Sequence, residues 1–158
     1  MILSRESEYA LDGLVVLARQ PHGKIMTVKE IAEARQLPSG FLARIFQKLR
    51  RHKLVSSHRG AVRGYALARP PSEITLREIL EAIEGPGLFE RCVFRSRQCD
   101  AHDPCKLHKG WLTMREKLQR VTDEITLEDV SSRSHAPATR LTITQTSKRR
   151  RAMSPSPV

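Results

Sequence analysis

Residues 27–51 read TVKEIAEARQLPSGFLARIFQKLRR. Thr27 with Glu30 three positions on is a capping box, in which each side chain satisfies a backbone amide at a helix start. It opens a short helix with Ile31, Ala32 and Ala34 on one side. The run Leu37-Pro38-Ser39-Gly40 breaks that helix, because proline lacks an amide hydrogen and disfavours helical backbone before it. A second helix is expected from about Ser39 to Arg51, with Leu42, Ile45, Phe46 and Leu49 at helical spacing and facing inward. Two short helices joined by a tight turn predict a helix-turn-helix, the second being the recognition helix.

The flanks extend this unit. Upstream, Tyr9, Ala10, Leu14, Val15, Leu17 and Ala18 recur helically over residues 5–19, and Pro21-His22-Gly23 stops the helix. Downstream, Leu54-Val55-Ser56-Ser57-His58 reads as a strand. Arg59-Gly60-Ala61-Val62-Arg63-Gly64 reads as a loop, and Tyr65-Ala66-Leu67 as the returning strand. This hairpin is the wing of a winged helix, and Pro70-Pro71 ends it. Thr75 and Glu78 form a second capping box, opening a helix with Leu76, Ile79, Leu80 and Ile83 that Gly85-Pro86-Gly87 terminates.

Asp103-Pro104 suits an N-cap followed by proline at the first helical position. A long helix is expected from about Cys105 to Glu124. Its apolar positions are Leu107, Trp111, Met114, Leu118 and Val121, in alternating steps of four and three, which is an a/d seam. The reading adopted is a seam against a second copy of the chain; packing on its own domain is the alternative. Thr126-Leu127-Glu128-Asp129-Val130 suits one last turn. The expected fold is therefore mainly α with a small β-wing. The parts are a winged-helix unit over 1–85, a cysteine loop over 86–104, a dimerisation helix over 105–130 and a basic tail over 131–158. That tail is rich in Ser, Thr, Pro and Arg without periodicity and is expected to be disordered.

With 158 residues the chain has room for one domain and an appendage, and its 39% hydrophobic content hints at a solvated segment. No apolar run reaches the roughly 18 residues of a membrane helix, and Met1-Ile2-Leu3-Ser4-Arg5 does not open a signal peptide. The expectation is a cytoplasmic protein, where thiols stay reduced. The net charge is +11, of which the tail alone supplies six through Arg133, Arg140, Lys148, Arg149, Arg150 and Arg151. The remainder is still basic. That fits a polyanion partner, or simply a solvated surface.

For DNA reading, side chains at the start of a recognition helix face base edges and basic residues face phosphates. Ser39, Gly40, Phe41, Ala43 and Arg44 occupy the first position. Lys48, Arg50, Arg51, His52 and Lys53 occupy the second. Arg44 is the one strong fork for guanine, worth about 1–3 kcal/mol if bidentate. Arg59 and Arg63 sit in the wing loop, where a guanidinium suits a narrow minor groove. Thr27, Ser57 and Tyr65 complete the candidate set. Solvated surface charge is the alternative for each residue singly; their grouping on a helix-turn-helix followed by a wing favours double-stranded DNA.

All three cysteines lie in Cys92-x(6)-Cys99-x(5)-Cys105, and His108 follows three residues further on. Three thiolates and an imidazole are a full four-coordinate set for a soft metal. Free thiols packed as small apolar residues are the alternative, but Cys99 and Cys105 have polar neighbours and no apolar periodicity to join. Structural zinc usually uses closely paired cysteines, absent here, whereas wider spacings suit an iron–sulfur cluster. Spacing leaves both open. A zinc hydrolase would need an open metal position and a general base, and no second constellation supplies them. A zinc-stabilised or metal-free nucleic-acid-binding module is the other alternative.

The chain resembles the Rrf2 family of bacterial winged-helix regulators over about residues 1–130. The resemblance is carried by Tyr9-Ala10-Leu11, Ile31-Ala32-Glu33, Phe41-Leu42-Ala43-Arg44-Ile45-Phe46, Leu54 to Gly60, Gly64-Tyr65-Ala66-Leu67, Ile74 to Gly85, the cysteine loop and Leu127-Glu128-Asp129-Val130. It implies a homodimeric transcriptional regulator, usually a repressor, on a palindromic operator, with no organic substrate. The triplet points to the iron–sulfur, IscR- and NsrR-like branch, since CymR-like members lack it. The resemblance then implies that Cys92, Cys99 and Cys105 hold the cluster. His108 matches the histidine ligand of a 2Fe–2S centre, which is favoured. Glu8 matches an acidic ligand that related members supply from the first helix, and with it a 4Fe–4S cluster is the alternative. The first cysteine spacing is one residue longer than is typical of the IscR branch. Ala43 departs from the glutamate common there, so operator sequence is not carried over. The signal is left among cluster status, nitric oxide, iron and redox state.

Overall fold

The computed structural model describes residues 3–60, 62–92 and 104–132. In chain order the elements are α1 (Arg5–Ala18), α2 (Val28–Arg35), α3 (Ser39–Arg51), β1 (Val55–His58), β2 (Gly64–Leu67), a 3-10 turn (Pro71–Glu73), α4 (Leu76–Glu84), α5 (His108–Glu124) and α6 (Leu127–Ser132). The expected mainly helical fold with a small wing is the one observed. Most of Cys99's segment, residues 93–103, and the tail from Arg133 on lie outside the described residues.

Both capping boxes form. The Thr27 hydroxyl accepts from the Glu30 amide at 3.2 Å while the Glu30 carboxylate accepts from the Thr27 amide at 2.7 Å. Thr75 and Glu78 repeat the arrangement at 3.2 and 3.0 Å. Gln36, with φ 54°, ends α2 in the left-handed region, and its neighbour Leu37 bonds back to Ala32 at 2.8 Å. The chain thereby turns into α3, where Leu42, Ile45, Phe46 and Leu49 are each 0% exposed. Burial of such side chains is worth about 1.5–3 kcal/mol apiece, so α3 is held by one face and leaves the other free.

That face packs on α1. At Gly13 an added Cβ would come within 2.8 Å of the Phe46 ring, so the two helices cross where α1 has no side chain. The wing is antiparallel, with Val55 opposite Leu67 and His58 opposite Gly64. Met26 extends it by one bridge, its amide donating to the Tyr65 carbonyl at 2.9 Å and its carbonyl accepting from the Tyr65 amide at 2.8 Å. A Cβ at Gly64 would collide with the Met26 carbonyl. Glycine there lets the wing close onto the entry to α2.

Two expectations for α5 are corrected. The helix starts at His108, not Cys105. The His108 amide bonds the Cys105 carbonyl at 3.0 Å across a tight three-residue turn; i to i+4 bonding begins with Trp111 on Leu107 at 2.9 Å. Cys105 thus precedes the helix. The five-residue seam also divides. Trp111 is buried, and Leu118 packs on Leu80, Leu88 and Phe89 of its own chain. Leu107, Met114 and Val121 are 52, 57 and 48% exposed. Those three are seven residues apart and form a narrower stripe. The split arises because α5 docks on α4: Arg77 bridges Glu81 at 2.9 Å and Asp123 at 3.0 Å, with its guanidinium 5.6 Å above the Phe89 ring.

After α5 the chain returns to the winged-helix core. Leu76 donates to Ile125 and Leu127 to Ile74, both at 2.8 Å, so the two segments pair like strands. The Thr126 amide and hydroxyl bond the Asp129 carboxylate at 2.8 and 2.7 Å and start α6. Leu127 then enters the main core at 0% exposure, beside residues of α1 and α4.

Candidate nucleic-acid interface and cysteine segment

The outer face of α3 carries Gly40, Arg44, Gln47 and Arg51, all exposed and spaced by four, three and four residues. Those steps keep them on one stripe of a helix. Next to the stripe, a groove of about 520 Å³ runs between α3 and the wing. Gln47, Arg50 and Arg51 line it from the helix; Ser57, His58, Arg59 and Tyr65 line it from the hairpin.

Several cations outside this groove are paired with acids. Arg35 pairs with Asp12, Arg69 with Glu78, Arg77 with Glu81 and Asp123, and Lys29 with Glu33. Among the described residues no acid pairs with Arg44, Arg50, Arg51, Arg59 or Arg63. Cations grouped without counter-charges raise the local positive potential, and a polyanion relieves the repulsion.

The predicted residues fall into different environments. Arg44, Arg51, Arg59 and Arg63 are exposed, as are Ser39 and Gly40 at the start of α3. Pro38 precedes them without a side-chain cap, so the first amides of α3 stay open to an acceptor. Lys48 points elsewhere: its ammonium bonds the Glu6 carboxylate of α1 at 2.6 Å. Phe41 is half-buried, edge-on to Tyr9 with centroids 5.7 Å apart. Tyr65 packs on Phe46 at 5.1 Å while also reaching the groove. Thr27 is exposed, with its hydroxyl occupied by Glu30. Gln47 and His58 complete the groove without having stood in the candidate set. A helical wheel anchored on Leu42, Ile45, Phe46 and Leu49 would have placed Gln47 opposite the core.

At the other end of the unit, Cys92 and Cys105 are free, half-buried thiols flanking the cysteine segment. Their donor chemistry, with the imidazole of His108, suits a soft metal or an iron–sulfur cluster. Among the described residues no three potential ligands are gathered; Cys99 lies outside them. Glu8 is exposed on α1.

Contacts link this segment to α3. The Arg91 guanidinium donates to the Glu84 carbonyl at 3.3 Å. The Glu84 carboxylate accepts from the Ser4 amide at 2.9 Å and from the Ser4 and Ser7 hydroxyls at 2.6 Å each. Partial burial pushes the Glu84 carboxyl up, but the Ser4 and Ser7 donors, with Arg91 nearby, outweigh it and hold the group below its ordinary value. The first turn of α1 therefore touches the start of the cysteine segment through Glu84 and α3 through Glu6–Lys48.

A recognition helix, a wing and an unpaired basic groove between them define a winged-helix transcriptional regulator. The chain belongs to the Rrf2 family, whose description is iron-dependent transcriptional regulator and whose model matches residues 3–133. An HTH-type transcriptional regulator of Mycobacterium tuberculosis is 34% identical over 131 residues, 83% of this chain and 81% of that protein. The structure of CymR, the global cysteine regulator of B. subtilis, is similar at a TM-score of 0.70 and 31% identity, over 84% of this chain and 97% of that one. T. potens IscR is similar at a TM-score of 0.66 and 26% identity, over 84% and 87%. The family is one of regulators, not enzymes, which sets aside the zinc hydrolase. No described helix is long and apolar enough to cross a membrane.

Proposed function

We infer that the chain is a cytoplasmic, homodimeric transcription factor, a repressor, whose binding to a double-stranded operator depends on an iron–sulfur cluster. The observation that carries DNA binding is the set of unpaired arginines on α3 and the wing. Arg50, Arg51, Arg59 and Arg63 are assigned to phosphates and the minor groove, and Arg44 to a base edge. Ser39, Gly40, Ser57 and Tyr65 lie where the duplex would approach; Thr27, Phe41 and Lys48 are assigned to holding the helix-turn-helix. Cys92, Cys99, Cys105 and His108 would hold a 2Fe–2S cluster, with Glu8 and 4Fe–4S as the alternative. The cluster would restrain the segment between α4 and α5. Glu84, Ser4, Ser7 and the Glu6–Lys48 pair are the contacts by which this chain joins that segment to the recognition helix.

Anaerobically purified protein should contain iron and acid-labile sulfide and be coloured, and Cys92→Ala should lose most of the visible absorbance. His108→Ala should alter the spectrum where Glu8→Ala does not. A colourless protein holding only zinc would overturn the cluster assignment. A second reading has its own support, the likeness to CymR. There the same fold would answer to cysteine supply or thiol state without a cluster, and a metal-free protein with unchanged operator affinity after Cys92→Ala would favour it.

Dimerisation is assigned to the stripe of Leu107, Met114 and Val121, three exposed apolar side chains a heptad apart. Met114→Lys should shift sedimentation equilibrium toward monomer while leaving the helical circular dichroism intact. An unchanged dimer would move the interface elsewhere.

A further inference from the structure

We propose that Gln47 is a base-reading residue that selects adenine next to the guanine read by Arg44. This rests on the DNA-binding reading above and deepens it. Gln47 belongs to the exposed stripe of α3, opposite the fully buried Leu42, Ile45, Phe46 and Leu49. It lies three residues beyond Arg44, a rise of about 4.5 Å along a helix. Successive base pairs are spaced about 3.4 Å. Two side chains on that stripe therefore address neighbouring steps of a major groove in which the helix lies.

The chemistry of the groove singles Gln47 out. Arg50, Arg51 and Arg59 around it present only donors, which suits phosphate oxygens at any sequence. Gln47 contributes a neutral planar amide with a donor and an acceptor side by side. It gains nothing from phosphate charge, and its amide matches adenine, donating to N7 and accepting from N6. Among the described residues no hydrogen bond occupies it. Ala43, half-buried one turn back, leaves room for both neighbours to approach. Neither the capping pattern nor the basic composition carries this assignment; it depends on which face α1 covers.

The test is selection by the full-length protein from a pool of DNA duplexes with a randomised core, followed by sequencing, for wild type, Gln47→Ala and Gln47→Glu. Wild type should enrich a palindromic site in which a G·C pair adjoins an A·T pair in each half. Gln47→Ala should flatten the adenine column alone, lowering its preference about tenfold or more. Gln47→Glu, now an acceptor only, should move that column toward cytosine, whose N4 amine is a donor. A purely supporting role for Gln47 would change affinity without exchanging one base for another. An enriched wild-type site left unaltered in every column by both variants would overturn this inference while the DNA-binding reading stands. If wild type enriches no site, both fall together.

Discussion

Replacing Arg50, Arg51 and Arg59 together with alanine should weaken operator binding about a hundredfold per protomer at physiological salt. Each phosphate contact releases close to one counterion, which is worth about 1 kcal/mol in roughly 0.15 M salt. Three lost contacts then give about 3 kcal/mol. The same variant should flatten the salt dependence, the slope of log affinity against log salt dropping by about 0.9 for each phosphate no longer neutralised. All three side chains are exposed, line the groove between α3 and the wing, and have no acidic partner among the described residues. Melting temperature should therefore stay near that of the wild type. Fluorescence anisotropy titrations at several salt concentrations supply the measurement. An unchanged slope would mean that this groove does not face the backbone of the duplex.

Leu127→Ala should destabilise the protein by about 3 kcal/mol, within the usual 2–5 for a buried leucine. For a domain of this size that lowers the melting temperature by about 6–12 °C. Leu127 is 0% exposed and packs in the same core as α1 and α4, although it lies beyond the long helix. The change removes its methyl groups and leaves a cavity that the Ile74–Leu127 backbone bond, at 2.8 Å, keeps from collapsing. Val62→Ala, at a site 60% exposed on the wing, should shift stability by no more than about 0.5 kcal/mol. Thermal denaturation of both variants compares the two directly. Equal melting would show that α6 is dispensable to the core.

Arg51 and Arg59 stand out in the sequence because they follow a helix-turn-helix and open a wing loop. Lys48 stands out for the same reason, yet Glu6, 42 residues away, takes its charge at 2.6 Å. Charge and position along the chain cannot distinguish Lys48 from Arg51; the neighbour that covers one and not the other is supplied by α1. Gln47 shows the converse: nothing in its type draws notice until the buried face of α3 is known. For the cysteine segment the donor types were legible, while the start of α5 beyond Cys105 was not. A tight turn ending at His108 displaces the helix start by three residues.

What the sequence by itself determined is what short-range chemistry controls. The Thr27–Glu30 and Thr75–Glu78 boxes start α2 and α4 because their partners lie three residues apart. Leu42, Ile45, Phe46 and Leu49 define α3 because helical geometry alone brings them to one side. Only the tertiary structure decided the uses of surfaces. It turned Trp111 and Leu118 inward and left Leu107, Met114 and Val121 outside. It also carried Leu127 back to the core and left the arginines of α3 and the wing without acid partners among the described residues. Each of these depends on atoms brought together from distant parts of the chain, and burial and ion pairing are settled by those neighbours, not by residue type.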